Sequence, residues 1–154
     1  MSAPGMGAIR LAVADDLAAI ALLVESAYAK YVPLIGRRPA PMQDDYAALI
    51  SAETIHVLEI DGGVEGVVVL IPERDAMLLD NVAVAPARQG LGLGRFMIAF
   101  AERNAIDVGY RSVRLYTNEA MTENIALYLR LGYVETHRKE EHGLRRVYLA
   151  KQLG

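Results

Sequence analysis

A glycine-rich turn at residues 88–95 restricts the fold more than any other part of this sequence. It follows a β-type run over residues 77–85 that Pro86 stops, and it precedes a helical pattern. Glycines occupy alternate positions of the turn, at Gly90, Gly92 and Gly94. Without side chains there, backbone N–H groups of residues 90–95 can point into one concavity at the positive end of the helix. The segment therefore predicts a strand, a glycine loop and a helix that together can hold a phosphate group.

Two nucleotide-binding motifs fail at this turn. A dinucleotide fingerprint needs a glycine three residues after its second one, but Arg95 follows Gly92 and Met97 follows Gly94 at that distance. A P-loop needs Gly-Lys-Ser/Thr, which the sequence lacks. A nucleotide-dependent redox enzyme is therefore disfavoured. Taken alone, the turn is also compatible with glycines that only allow the helix to pack closely on the strand.

The rest of the chain alternates short β-type runs with amphipathic helices. Asp15 stands as an N-cap before a helix that ends near Tyr31, because Pro33 and Gly36 follow, and a second short helix is predicted over residues 42–51. A later helix over residues 124–131 places Gly132 at its C′ position. The β-type runs cover residues 8–13, 56–60, 64–71, 77–85, 113–117, 133–139 and 144–150.

The resulting order, β-α-α-β-β-β-α-β-α-β-β, mixes antiparallel hairpins with crossover connections. We predict an α+β fold of the three-layer α/β type. Its single mixed, mostly antiparallel sheet has about seven strands, flanked by about four helices. Because 154 residues is the usual size of one domain, residues 1–154 are predicted to form a single domain with its core at about residues 8–150.

Composition excludes several classes of function. Sixteen basic against nineteen acidic residues give a net charge of −3, so no broad basic surface is expected for nucleic acid. The longest apolar run, residues 17–24, is shorter than the roughly 20 residues that span a bilayer, and no signal peptide is evident. We expect a cytoplasmic protein without a membrane. The sequence has no Cys, and His56, His137 and His142 lack partners at metal-ligand spacing, so no metal is expected.

Three motifs together resemble the GCN5-related N-acetyltransferase (GNAT) family. The turn Gln89-Gly90-Leu91-Gly92-Leu93-Gly94 is similar to the family's pyrophosphate loop, Gln/Arg-x-x-Gly-x-Gly/Ala. The segment at residues 81–86 looks like the family's fourth strand, and residues 126–133 look like its late helix-to-strand motif. The resemblance covers about residues 8–150 and implies a cofactor cleft between the fourth and fifth strands of the family's sheet.

The resemblance implies that acetyl-CoA is the cosubstrate. The residues that would surround its pyrophosphate are Gln89, Gly90, Leu91, Gly92, Leu93, Gly94 and Arg95. Val82 and Val84, on either side of Ala83, would pair with pantetheine through their backbone, and the N–H near Val82 would polarise the thioester carbonyl. At least one of Arg88 and Arg95 would contact phosphate, although an exposed arginine is often only a solvated charge.

Two further side chains follow from the same resemblance. Tyr128, four residues before Gly132, lies where the family places a tyrosine that protonates the departing thiolate; the alternative is a core tyrosine. Many members carry a cofactor-binding asparagine seven residues before that tyrosine, where this chain has Met121. Asn124 is the substitute that we predict, with helix capping as the alternative.

The acceptor side is less constrained by the sequence. An amine must lose a proton before it attacks, and Asp80 is the first choice of base, with Glu25, Glu135 and His137 as alternatives. A salt-bridging role for Asp80 also remains open. The residues expected at the acceptor wall are Tyr31, Arg37 and Arg38. Two arginines there would suit an acceptor with a carboxylate, and a solvated loop is equally compatible.

We therefore expect direct transfer of an acetyl group from acetyl-CoA to a primary amine of a small molecule, a protein or a peptide. The alternative is a catalytically idle module that binds coenzyme A as a sensor or interaction partner, against which Tyr128 argues. The family resemblance makes a homodimer reasonable. Neither nucleic acid nor a membrane is expected as a partner, and no metal as a cofactor.

Overall fold

The computed structural model describes residues 2–3 and 7–154, which form eight strands and five α-helices. The strands are β1 (Ser2–Ala3), β2 (Gly7–Leu11), β3 (Ile55–Ile60), β4 (Gly63–Pro72), β5 (Met77–Val84), β6 (Ser112–Asn118), β7 (Val134–Glu141) and β8 (Leu144–Gln152). The helices are α1 (Leu17–Tyr28), α2 (Val32–Ile35), α3 (Tyr46–Ser51), α4 (Leu93–Asp107) and α5 (Thr122–Arg130). The α+β prediction is confirmed, and the short β1 and α2 account for the elements beyond the predicted number.

All eight described strands belong to one sheet, in the order β1-β2-β3-β4-β5-β6-β8-β7. Strands β5 and β6 are parallel, whereas the other neighbours are antiparallel. Parallel neighbours need a crossover, which α4 supplies directly after the glycine loop. The mixed, mostly antiparallel sheet is therefore confirmed. Counted from β2, the fourth and fifth strands are β5 and β6.

A bulge in β5 opens the sheet at this parallel pair. On the β4 side, Leu79 pairs with Leu70 and Asn81 pairs with Val69, so Asp80 is an extra residue without a partner in the ladder. Such a residue bends its strand. On the other side, the ladder between β5 and β6 ends after Leu78. The two strands therefore diverge where Asp80 lies.

The sheet is buried on both faces, as the alternation along β4 shows. Val67 and Val69 pack in the cluster around α1 and α3, whereas Val68 and Leu70 pack in the cluster around α4 and α5. Because successive side chains of a strand point to opposite faces, an unbroken apolar run fits a strand covered on both sides. The fold thus has three layers with the sheet in the middle.

The helical segment Ala14–Ile35 is long and apolar enough to cross a membrane by length and composition. Within the fold, however, one side of α1 packs on the sheet. The buried residues of that side are Ile20, Leu23, Val24, Ala27 and Tyr28. The core helix of a globular domain has the same properties, so the segment is weak evidence for a membrane span.

The first helix differs from its prediction at both ends. It begins at Leu17, after a 3₁₀ turn, and its N-cap is Asp16 rather than Asp15. Pro33 does not end the helical segment, because it lies in the first turn of α2, where its missing N–H is not needed. The segment ends instead at Gly36, whose φ is +86°.

Candidate active site

A groove of about 570 Å³ runs along the glycine loop between β5 and the helices α4 and α5, and we call it the outer groove. All the residues predicted to bind the cofactor line it except Leu91, whose side chain is 60% exposed. The groove also contains residues that the motifs did not indicate: Ala27, Tyr28, Lys30, Tyr31, Ile98, Glu123, Ala126, Leu127 and Arg130. The structure therefore brings the predicted cofactor residues together.

The glycine loop has the conformation that the sequence predicts for an anion site. Gly90 and Gly92 have φ values of +82° and +83°, which residues with a Cβ rarely adopt. Gly92 is also the N-cap of α4, and none of the side chains that the structure describes accepts a hydrogen bond from the first N–H groups of that helix. These N–H groups therefore face the outer groove without a side-chain partner and attract negative charge.

Cationic side chains surround the loop, and they have different partners. Arg88 donates from Nε to Oε1 of Glu65 at 3.1 Å, so its charge is already paired. Arg95 is exposed and forms no ion pair with a residue that the structure describes. Lys30 and Arg130 were not predicted, because Lys30 reaches the groove from the 3₁₀ turn after α1, and Arg130 reaches it from α5, rather than from the loop.

The open edge of β5 presents main-chain groups to the outer groove. The Gln89 side chain donates to the Val84 carbonyl at 3.1 Å, and the Tyr28 hydroxyl lies 3.4 Å from the Val82 carbonyl. Because the amide and carbonyl of one strand residue point to the same side, the Val82 and Val84 amides also point away from β4. This edge can pair with an extended ligand as another strand would.

A second space of about 80 Å³, the inner cavity, lies between the diverging strands and the segment at residues 35–44. Its lining consists of Tyr28, Ile35, Pro39, Ala40, Pro41, Asp44, Leu79, Asp80, Asn81, Val82, Tyr116, Thr117, Asn118, Met121, Asn124, Tyr128, Leu144 and Arg146. Four of these residues also line the outer groove: Tyr28, Val82, Asn124 and Tyr128. The two spaces therefore meet beside β5 and α5.

Tyr128 stands at this junction with a free hydroxyl. The residue is 9% exposed, and its ring contacts the Tyr133 ring edge to face at 5.6 Å. Its hydroxyl makes no hydrogen bond to a described residue, although the Tyr133 hydroxyl donates to Glu102 at 2.9 Å. Burial raises the pKa of Tyr128, so the phenol keeps its proton at neutral pH. The side chain thus packs in the core and also offers a proton.

Asp80 lines the inner cavity at the bulge of β5. Its side chain is half-buried, and burial raises the pKa of its carboxyl group, while the Tyr116 hydroxyl and the Arg146 charge oppose that rise. Arg146 lies 4.4 Å from the centre of the Tyr116 ring and 3.6 Å from a Glu141 oxygen. A carboxylate with a raised pKa is a stronger base, which suits proton transfer from an amine.

Asp44 is a second carboxylate of the inner cavity that sequence reasoning missed. It is exposed at the mouth of the cavity, in the segment between α2 and α3. Burial of its inner side and repulsion from Asp80 raise its pKa to about 6. Asp44 is 36 positions from Asp80 along the chain, and the two were brought to one cavity by the fold rather than by any motif.

A buried hydrogen-bond network links β5 to α1, α3 and the segment at residues 35–44, which we call the roof segment. Asn81 is 4% exposed, accepts a hydrogen bond from the Tyr28 hydroxyl at 2.5 Å and donates to the Tyr46 oxygen at 3.0 Å. The Tyr46 hydroxyl in turn donates to the Pro41 carbonyl at 2.6 Å. The network holds the roof segment at a fixed position over β5.

The residues predicted for the acceptor wall lie elsewhere. Tyr31 lines the outer groove rather than the inner cavity. Arg38 forms two hydrogen bonds of 2.8 Å with Glu25, and Arg37 donates to the His142 carbonyl at 2.7 Å. Neither arginine lines the inner cavity. The Arg37 contact instead joins the roof segment to the turn between β7 and β8.

The alternative bases are also outside the inner cavity. Glu25 is paired with Arg38, and Glu135 is exposed and paired with Arg138. His137 stacks on Tyr148 at 4.3 Å. Asp80 is therefore the one predicted base that lines this space. Within the described part of the chain, no three His, Asp or Glu side chains form a group that could hold a metal ion.

The fold and the site together define a class of protein. Its members have a bulged sheet that opens a cleft between two parallel strands, and a glycine loop at one end of the cleft can hold an anion. The sequence comparison agrees with this class. The model of the acetyltransferase (GNAT) domain matches residues 51–135, and the chain belongs to this family of acetyltransferases, which use acetyl-CoA. The family resemblance of the sequence motifs is thereby confirmed.

Solved structures with the same fold share little sequence with the chain. The ribosomal-protein-S18-alanine N-acetyltransferase from Escherichia coli has a TM-score of 0.79 at 20% identity, over 97% of this chain and 95% of that one. The PaiA N-acetyltransferase from Thermoplasma acidophilum, in complex with coenzyme A, has a TM-score of 0.79 at 14% identity, over 94% and 98%. A search of curated proteins finds no similar sequence.

Proposed function

We propose that the protein transfers an acetyl group directly from acetyl-CoA to a primary amine. The observation that carries this proposal is the junction of the outer groove with the inner cavity at Tyr128. A long cosubstrate in the groove and a small acceptor in the cavity would meet there. The carboxylate of Asp80 lies on the acceptor side of the same space.

The outer groove fits coenzyme A along its length. The pyrophosphate would lie against the free N–H groups after Gly92, where left-handed glycines leave no side chain in the way. The pantetheine arm, which carries amide groups, would pair with the open edge of β5 at Val82 and Val84. Arg95 and Arg130 offer charges for the phosphates, and Asn124 stands beside the junction.

The reaction requires three groups of the chain: one that stabilises negative charge, one that accepts a proton and one that donates a proton. The Val82 N–H, at the open edge of β5, would stabilise the charge that develops on the thioester oxygen. As the amine nitrogen bonds to the acetyl carbon and the carbon–sulfur bond breaks, Asp80 takes the proton of the amine. Tyr128 gives its phenolic proton to the departing sulfur and regains one from solvent.

The test is a titration of coenzyme A followed by an assay of thiol release from acetyl-CoA with a panel of amines, amino acids and peptides. We expect binding of coenzyme A, amine-dependent thiol release, and an N-acetyl product that mass spectrometry identifies. Binding without turnover of any amine would support the idle module instead. No binding of coenzyme A would contradict both readings.

A further inference from the structure

The inner cavity is lined by two carboxylates, Asp44 and Asp80, and by one cation, Arg146. Asp80 lies on its floor and Asp44 at its mouth, and neither forms an ion pair with a described residue. Asp44 also experiences repulsion from Asp80. Two carboxylates that face one cavity favour a ligand that brings positive charge.

The nearby arginines offset this negative charge only in part, because the Arg146 charge acts on Asp80 and not on Asp44. Arg146 is the one cation of the lining, and it is shared between Glu141, at 3.6 Å, and the face of Tyr116. Arg37 and Arg38 have their own partners outside the cavity. A ligand carboxylate would therefore meet Asp44 and Asp80 without a free arginine to receive it.

Apolar side chains form part of the lining of the inner cavity, which has a volume of about 80 Å³. Ile35, Pro39, Leu79 and Leu144 contribute to these walls. A methylene chain buries its surface against such walls at a gain of about 0.8 kcal/mol per CH₂ group.

An independent feature shows which end of the cavity holds the reacting group. Tyr128 is buried to nine tenths, its hydroxyl has no partner among described residues, and it lines the inner cavity where this meets the outer groove. The hydroxyl keeps access to the open space at this junction, so a ligand atom can contact it. Asp80 belongs to the floor of the same cavity, whereas Asp44 is exposed at its mouth.

We infer that the acceptor is an aliphatic diamine or polyamine, whose reacting amine is held at Asp80 and whose second ammonium group is held at Asp44. This inference rests on the proposed function and specifies its substrate class. Asp44 acts here as a specificity residue that contacts the substrate away from the reacting atoms. The far ammonium group stays charged throughout. The reacting group loses two protons in all: the first goes to solvent before the attack, and the second goes to Asp80 as the nitrogen bonds to the acetyl carbon.

Three five-carbon acceptors test the inference, because they differ only at the far end. They are 1,5-diaminopentane, n-pentylamine and 5-aminopentanoate. For the wild type we expect kcat/KM to be about tenfold or more higher for the diamine than for pentylamine, after correction for the two equivalent amines of the diamine. We expect the lowest kcat/KM for the aminopentanoate. In Asp44→Asn the diamine should lose this preference and the aminopentanoate should improve.

Asp45→Asn is the matched control. Asp45 caps α3 by accepting a hydrogen bond from the Ala48 N–H at 3.1 Å, and asparagine serves equally well as an N-cap. This variant removes one negative charge next to Asp44, so it measures the general effect of net charge. It should keep the preference of the wild type for the diamine.

Any of three results would overturn the inference. The wild type could use the diamine and pentylamine equally, or it could prefer the aminopentanoate or a peptide N-terminus. The third result is an unchanged preference in Asp44→Asn. If no amine is acetylated, the proposed function fails, and the calorimetric titration of the protein with both amines in the presence of coenzyme A decides the inference separately. Tighter binding of the diamine that Asp44→Asn abolishes supports the cation site, and equal binding refutes it.

Discussion

The free hydroxyl of Tyr128 allows its catalytic role to be separated from its structural role. Tyr128→Phe removes one oxygen that makes no hydrogen bond to a described residue, so no protein contact is lost and the ring keeps its place against Tyr133. We expect the free energy of unfolding to change by less than about 0.5 kcal/mol. The proton for the departing sulfur is lost, however, and kcat should fall by about tenfold or more, which is a barrier increase of at least about 1.4 kcal/mol.

Tyr133→Phe is the matched control for this prediction. Its hydroxyl donates to Glu102 at 2.9 Å, and Glu102 keeps a second partner, Lys151, at 3.0 Å. We therefore expect a loss of stability of about 1.5 kcal/mol, the lower end of the range for a hydrogen bond to a charged group, and little change in kcat. The two variants should thus show opposite patterns of stability and turnover.

The assay combines thiol release at saturating acetyl-CoA and amine with urea unfolding of each variant. Saturation ensures that the rate reports the step after binding. Unchanged kcat in Tyr128→Phe would remove its hydroxyl from the mechanism and leave it as a core residue. A loss of stability in Tyr128→Phe as large as that of Tyr133→Phe would refute the reasoning that its hydroxyl has no partner within the protein.

Three further predictions follow from the backbone, the buried network and the mouth of the cavity. Gly92→Ala, at φ +83°, should destabilise the fold by about 1 kcal/mol and weaken coenzyme A binding about tenfold in calorimetry, whereas Gly109→Ala, at φ +97° and far from the groove, should only destabilise. Asn81→Ala removes the acceptor of the buried Tyr28 hydroxyl and should cost about 2–4 kcal/mol in urea unfolding; a cost below about 1 kcal/mol would contradict the network. In the folded state the pKa of Asp44 is raised to about 6, above its ordinary value, so protonation of Asp44 favours the folded state. This stabilisation is complete below about pH 4 and is lost as the pH rises to about 6. The unfolding free energy of the wild type, measured relative to that of Asp44→Asn, should therefore decrease as the pH rises across this interval.

Local signals in the sequence predict the cofactor side of the site well. Gly132 has the positive φ expected for a glycine at the C′ position, and Gly90 and Gly92 of the predicted loop also have positive φ. The loop works through its backbone, and glycine spacing reports directly on backbone conformation. Pro33 shows the limit of the same reasoning, because a proline that breaks a helix interior is accepted in a first turn.

The acceptor side could not be predicted in the same manner. Asp44, Asp80 and Arg146 come from three distant segments, and what they do together depends on the bulge that bends β5, which has no signature in the sequence. Arg37 and Arg38 were assigned to the wall by their place in the chain. Arg37 donates to the His142 carbonyl and Arg38 pairs with the Glu25 carboxylate, and only the fold brings these partners near.

The network from Tyr28 through Asn81 and Tyr46 to the Pro41 carbonyl has a consequence for how the two substrates bind. The network begins beside the main chain of β5 and ends in the roof segment over the inner cavity. A ligand that fixes the position of one end of the network is therefore expected to fix the position of the other end as well. Binding linkage is reciprocal: the factor by which coenzyme A tightens the amine is the factor by which the amine tightens coenzyme A. We expect Asn81→Ala to bring this factor close to one, because Asn81 joins the Tyr28 hydroxyl to Tyr46.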